Sequence, residues 1–217
     1  MLFPQVFDHR RHLISERTVL YELLAEKGAS DGKAPSPHGF NAVDPGEGVH
    51  ASRQDYRDLD EKFDHIVSVG MFEHVGYKNY RTYMEVVHKC LREEGLFLLH
   101  TIGKNFSDVT VDPWLGKYIF PNSVIPSMKQ ISASMEDLLF LEDLHNFGPY
   151  YDQTLMSWFG NFERNWDKLK TYYDDRFYRM WKYYLLSSAG SFRSRYLHVW
   201  QMLLSRKGVP GGCNPVS

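Results

Sequence analysis

KFDHIVSVGMFEHVG, residues 62–76, is the stretch on which the reading of this chain turns. His65 to Val69 is a short β-branched run of the kind found in a parallel strand buried on both faces. It stops at Gly70, and a carboxylate and an imidazole, Glu73 and His74, follow before Gly76, where a plain turn would serve. Titratable groups in that place suggest a site, because ligands of open parallel sheets bind beyond the carboxyl ends of the strands.

Downstream, YKNYRTYMEVVHKCLREEG (77–95) predicts a helix with Tyr80, Tyr83, Met84, Val87 and Leu91 on its inward stripe and Gly95 ending it. GLFLLHTIG (95–103) predicts the next buried strand. Strand, helix and strand in so short a span form a βαβ unit, so the chain is of the α/β class. Adjacent strands lie ~5 Å apart, which brings Glu73 and His100 to one crevice. The pattern alone leaves an ordinary alternative open, with Glu73 as a helix-start carboxylate and His100 as a satisfied core histidine.

Upstream the pattern changes. SERTVLYELLAEK (15–27) predicts a helix capped by Ser15, with Val19, Leu20, Leu23 and Leu24 on one stripe. Residues 28–52 concentrate Gly, Pro, Ser and Ala and hold too few large apolar side chains to build a core element, so they read as a linker. The expected organisation is therefore a separate segment 1–53, one domain over 54–208 and a flexible tail 209–217.

Composition sets the outer limits. Lys and Arg number 25 against 27 Asp and Glu, a balance that provides no general attraction to nucleic acid or an anionic membrane, so any lipid contact must be local. Cys90 and Cys213 are the only cysteines and show no metal-site or disulfide spacing, which fits a reducing cytoplasm; no metal is expected. The longest apolar runs are far too short to span a bilayer, and Asp8, Arg10, Arg11 and Glu16 stand where a signal peptide needs apolar residues.

Several stretches in order, QDYRDLDEKFDHIVSVGMFEHVGYKNY, EEGLFLLHTIG, VDPWLGKYIFPN, LEDLHNFGPYYDQTLMSW and SSAGSFRSR, resemble the catalytic domain of the cyclopropane-fatty-acyl-phospholipid synthases. The mycolic acid cyclopropane synthases are more distantly similar. The resemblance runs from about Gln54 to Arg206. It implies a Rossmann-like class I methyltransferase fold with an antiparallel last strand. The implied enzyme is a transferase using S-adenosylmethionine on the cis double bond of phospholipid acyl chains, working from the cytoplasm as a peripheral protein at the inner membrane surface, with a homodimer as the expected assembly. It also implies a bound bicarbonate as the base, held by Glu73, His100 and Tyr151 and by backbone at Val69. For the cofactor it implies Tyr56 and Arg57 at the adenine and the turn Ser68 to Gly70 facing the sulfonium.

One departure stands beside these matches. The glycine-rich loop of the family, which approaches the cofactor's methionine end, has no counterpart in residues 1–53, where PGEG (45–48) lacks a preceding apolar strand. The expectation is a sheet that keeps its fourth to seventh strands and leaves an edge bare. Three functions stay open: a cyclopropane synthase, a lipid methyltransferase of the same fold, and a non-catalytic remnant. Two further features await placement. The loop 111–126 reads as a lid over the acyl chain, and in TYYDDRFYRMWKYYLL (171–186) Tyr173, Phe177, Trp181 and Tyr184 share one helical face while Arg176, Arg179 and Lys182 share another. That aromatic face is either a core stripe or the wall of a lipid pocket.

Overall fold

The computed structural model describes residues 18–22 and 55–213. The expected linker 28–52 lies outside the described residues. Strands β1 (Thr18–Glu22), β2 (Phe63–Val69), β3 (Leu91–Lys104), β4 (Phe140–Asn146) and β5 (Leu197–Ser205) form a five-stranded sheet in the order β1-β2-β3-β5-β4. Both β1–β2 and β2–β3 are parallel, while β5 is antiparallel to β3 and to β4. Four strands thus run one way and β5 alone runs against them, as expected for the last strand. The helices are α1 (Phe72–Val75), α2 (Tyr80–Cys90), α3 (Pro113–Tyr118), α4 (Met128–Met135), α5 (Gly148–Leu169) and α6 (Asp175–Arg193).

Two expectations are corrected here. Thr18–Glu22 is a strand and not part of a helix, in register with β2 from Thr18↔His65 to Glu22↔Val69. Thr18, Val19 and Tyr21 favour extended backbone as readily as a helical stripe, and the free hydrogen-bonding edge of β2 decides between the two. That edge is consequently not bare. The second correction concerns Gly95, which does not end a helix: α2 stops at Cys90 and Leu91–Lys104 is extended. A Cβ on Gly95 would lie 2.8 Å from the Asp64 carbonyl oxygen and 2.7 Å from Leu91, so the glycine serves close approach of two strands.

The sheet separates two apolar clusters. On one face Ile66, Phe97, Leu99, Trp200, Met202 and Leu204 meet α2 through Tyr80, Tyr83, Met84 and Val87, and α4 through Ile131. On the other, Leu197 and Val199 of β5 meet Leu155 and Phe162 of α5 and Leu185, Ala189 and Phe192 of α6, with Ile102 packed alongside. Alternation along β3 sends Phe97, Leu99 and Thr101 to the first face, fully buried, and Leu98, His100 and Ile102 to the second, half-buried. Among the described residues no helix is long and apolar enough to cross a membrane.

Candidate active site

The site is built where β2 ends and β3 does not. Val69, the last residue of β2, is paired with His100, and β3 continues four residues further, to Lys104. The Gly70 N–H donates to the His100 carbonyl at 3.0 Å, the last backbone bond from the β2 side, and beyond it the Lys104 N–H donates to the Pro126 carbonyl at 3.0 Å. Ile102 directs its N–H to the same side, where a strand partner would otherwise stand. It donates instead to Glu73 Oε1 at 2.7 Å. Gly70, at φ +64°, makes the turn that allows this. The second oxygen, Oε2, is buried and has no protein partner.

Burial pushes the Glu73 carboxyl above its ordinary range, and the Ile102 N–H, its own backbone N–H and the Thr101 hydroxyl draw it partly back. The residue is 6% exposed. The segment 111–126 fixes its backbone: Val124 N–H donates to the Glu73 carbonyl at 2.8 Å, and the Tyr80 hydroxyl donates to the Val124 carbonyl at 3.0 Å. Within that segment the first turn of α3 is capped by Asp112 accepting from Trp114 and Leu115 N–H.

His100 contributes a defined tautomer. Gln201 Nε2 lies 3.1 Å from His100 Nδ1. An amide nitrogen can only donate, so Nδ1 accepts and the ring proton sits on Nε2. Burial lowers the ring pKa to about 4, which keeps it neutral. Tyr151 stands in the first turn of α5. Its hydroxyl pKa is raised by burial and then by the charge of Glu73. Tyr151 packs edge-on to Phe192 at 4.9 Å and to Trp158 at 6.2 Å. Tyr184, pushed up to about 12 by burial and by Tyr151, meets Phe120 of the segment 111–126, which meets His74. The result is a carboxylate oxygen without a partner, an imidazole with a free N–H and a phenol, walled by aromatic rings.

The expected cofactor residues are placed less uniformly. Nothing lies within 4 Å of where a Gly70 Cβ would stand, so space is open there for a ligand. Ser68 is fully buried with an unpartnered hydroxyl. Tyr56 is buried edge-on to Tyr83 at 5.3 Å, and the Arg57 guanidinium is engaged by Asp55. The structure therefore gathers Val69, Gly70, Glu73, His100 and Tyr151, and leaves Arg57 at the surface. Sequence reasoning did not find Gln201; it had Tyr80 on the inward helical stripe and Tyr184 on the aromatic face, without linking either to Glu73 or His100. Gln201 reaches His100 only because β5 is antiparallel to β3, a pairing with no signal in local sequence. Among the described residues no group of His, Cys, Asp and Glu is placed to hold a metal ion.

The fold is that of the class I methyltransferases. It superposes on the cyclopropane synthase MmaA2 from Mycobacterium tuberculosis with a TM-score of 0.65 at 24% identity, covering 70% of this chain and 58% of that one. Residues 32–202 match the family model for mycolic acid cyclopropane synthetase, and the chain belongs to that family. It is 55% identical over 159 residues to the cyclopropane-fatty-acyl-phospholipid synthase of Escherichia coli K12, and 34% identical over 172 residues to the tuberculostearic acid methyltransferase UfaA1 of Mycobacterium tuberculosis. These matches cover 73% and 76% of this chain but 41% and 40% of the relatives. The chain thus spans about two fifths of their length.

Proposed function

We propose that this chain supplies the proton-accepting side of an S-adenosylmethionine-dependent enzyme that converts the cis double bond of a phospholipid acyl chain into a cyclopropane. The observation that carries the reading is Glu73 Oε2, buried with no protein partner. A buried polar atom left unmatched is costly, and a protonated anion such as bicarbonate would match it with its own O–H.

Glu73 Oε2 would accept that hydrogen, His100 Nε2–H and the Tyr151 hydroxyl would donate to the remaining oxygens, and the Val69 backbone would close the set. Open space over Gly70 suits the methionine end of the cofactor at the turn Ser68 to Gly70. S-adenosylmethionine supplies an electrophilic methyl group when bound, and bicarbonate a proton acceptor. The rings of Tyr151, Trp158, Phe192, Phe120 and Tyr184 keep water out and offer π-faces to positive charge developing on the acyl carbons. Closing the ring requires loss of one proton from the added methyl, and the neutral His100 and uncharged Tyr151 hold the acceptor without competing for that proton.

The test is an assay of the purified chain with methyl-labelled S-adenosylmethionine and vesicles of a monounsaturated phospholipid, with and without bicarbonate. A labelled cyclopropane that declines on bicarbonate depletion is the expected product. A methyl-branched acyl chain without a ring, independent of bicarbonate, would instead assign the methyltransferase reading suggested by the UfaA1 match. A folded chain that binds no S-adenosylmethionine and yields neither product would overturn both.

A further inference from the structure

The outer side of α6 carries a feature that the reaction does not use. Trp114 and Tyr118 of α3 face Arg176, Arg179, Met180 and Tyr183 of α6 across an open groove of about 380 Å³. Trp114 stands edge-on to Tyr183 at 4.6 Å, and Lys117 lies over the Tyr118 ring. Lys117 and then Arg176 draw the Tyr118 hydroxyl pKa down. Arg57, Arg81, Arg92 and Arg193 each have a carboxylate in ion-pair contact, whereas among the described residues Arg176 and Arg179, like Arg164, Arg195 and Arg206, have none, and these two share one groove. The nearby Asp174 carboxylate is occupied in capping α6 through the Phe177 N–H. Tyr118 is 39% exposed and Tyr183 52%. Cations without acidic partners, set among half-exposed Trp and Tyr, have the chemistry of a membrane–water interface, where aromatic rings sit at headgroup depth and guanidiniums take phosphate.

We propose that this groove docks the chain on an anionic phospholipid bilayer, with Arg176 and Arg179 on lipid phosphodiesters and Trp114, Tyr118 and Tyr183 in the interfacial layer. The inference rests on the phospholipid-substrate reading above and gives that substrate a surface. Charge complementarity selects the occupant: the chain is acidic overall, at −2, so a bilayer gains nothing from the bulk of the molecule and must meet a local cationic patch. Position supports it as well. Tyr183 faces the groove while its neighbour Tyr184 faces inward to Phe120, and Phe120 to His74, the residue after Glu73. A lipid held by its headgroup at the groove has its acyl chains one helix face away from the site.

The experiment is co-sedimentation of the full chain with vesicles of phosphatidylcholine alone and of equimolar phosphatidylcholine and phosphatidylglycerol. Binding to the mixed vesicles, weakened by salt and reduced on the order of tenfold or more by R176Q with R179Q at an unchanged melting temperature, is the expected result. W114A should weaken binding to the same vesicles. Absence of binding to either vesicle, equal binding of the double variant, equal binding to phosphatidylcholine alone, or displacement by inorganic phosphate at matched ionic strength would each overturn the proposal. The two readings fail separately. Selective sedimentation without ring product leaves docking standing and removes the reaction, whereas ring product with unaltered sedimentation of the double variant does the reverse.

Discussion

At the scale of single residues, Glu73 has two jobs on two oxygens: Oε1 satisfies the Ile102 N–H, and Oε2 is left for chemistry. Glu73→Gln separates them, because an amide oxygen can still accept from Ile102 while the charge is lost. Activity should fall by at least ~10²-fold. Stability should move the other way. The folded pKa of Glu73 is raised above its unfolded value, so its contribution is full at low pH and is lost as pH climbs from the ordinary carboxylate range through the folded value. The parent chain should lose melting temperature over that window, and Glu73→Gln should lose less; identical slopes in the two proteins would refute the assignment. His100 has the opposite sign. Its folded pKa of about 4 lies below the ordinary imidazole value of 6.5, so its contribution is present above the unfolded value and is lost as pH falls toward about 4. Glu73 and His100 were legible as a pair because strand ends in a βαβ unit converge. Gln201, which sets the His100 tautomer, was not, since its meeting with His100 depends on a strand pairing about a hundred residues away.

At the scale of elements, β3 and β5 share the longest ladder in the sheet, from Leu96↔Ser205 to Lys104↔Leu197. A Cβ on Gly103 would stand 2.0 Å from the Trp200 ring, so Gly103→Ala must displace that ring or part the strands. A loss of about 1–3 kcal/mol is expected from denaturant unfolding. Gly190→Ala in α6 is the control. Nothing lies within 4 Å of its Cβ position, and the change should stabilise by ~0.5–1 kcal/mol. Unequal legibility of elements has a physical reason. The unit from β2 to β3 showed in the sequence because its strands are buried apolar runs and α2 between them has a clean inward stripe. SERTVLYELLAEK did not declare itself, since Val19 and Leu20 satisfy a helical stripe and a strand alike and the edge that captures them is distant in sequence. In TYYDDRFYRMWKYYLL the stripe was legible, and Phe177, Trp181 and Tyr184 pack with the α5–α6 cluster while Tyr173 stacks on Phe177 at 4.2 Å.

For the molecule as a whole, the two faces of the sheet differ in cover. Leu99 is fully buried under α2 and α4, while Leu98 on the other face is half-buried. Leu99→Ala should cost about 2–5 kcal/mol and Leu98→Ala clearly less, measured as the difference in denaturant midpoint at constant slope. Equal costs would mean that the second face is as well covered as the first. The overall class was readable from strand spacing alone. Which face carries the site was not, because alternation along β3 says that His100 and Leu99 are on opposite sides but not which side α5 and α6 occupy.

The substitution of a carboxylate for a missing strand has a bearing on how such a chain is judged by descent. Glu73 satisfies the Ile102 N–H on the overhanging end of β3 whether or not any substrate is ever turned over. A lineage that abandoned the reaction would still be penalised for an apolar residue there, but not for glutamine. Persistence of a hydrogen-bond acceptor at position 73 is therefore weak testimony for catalysis, and the marks that should fade first in an idle copy are the ones with no architectural duty: the charge of Glu73, the free N–H of His100 and the hydroxyl of Tyr151.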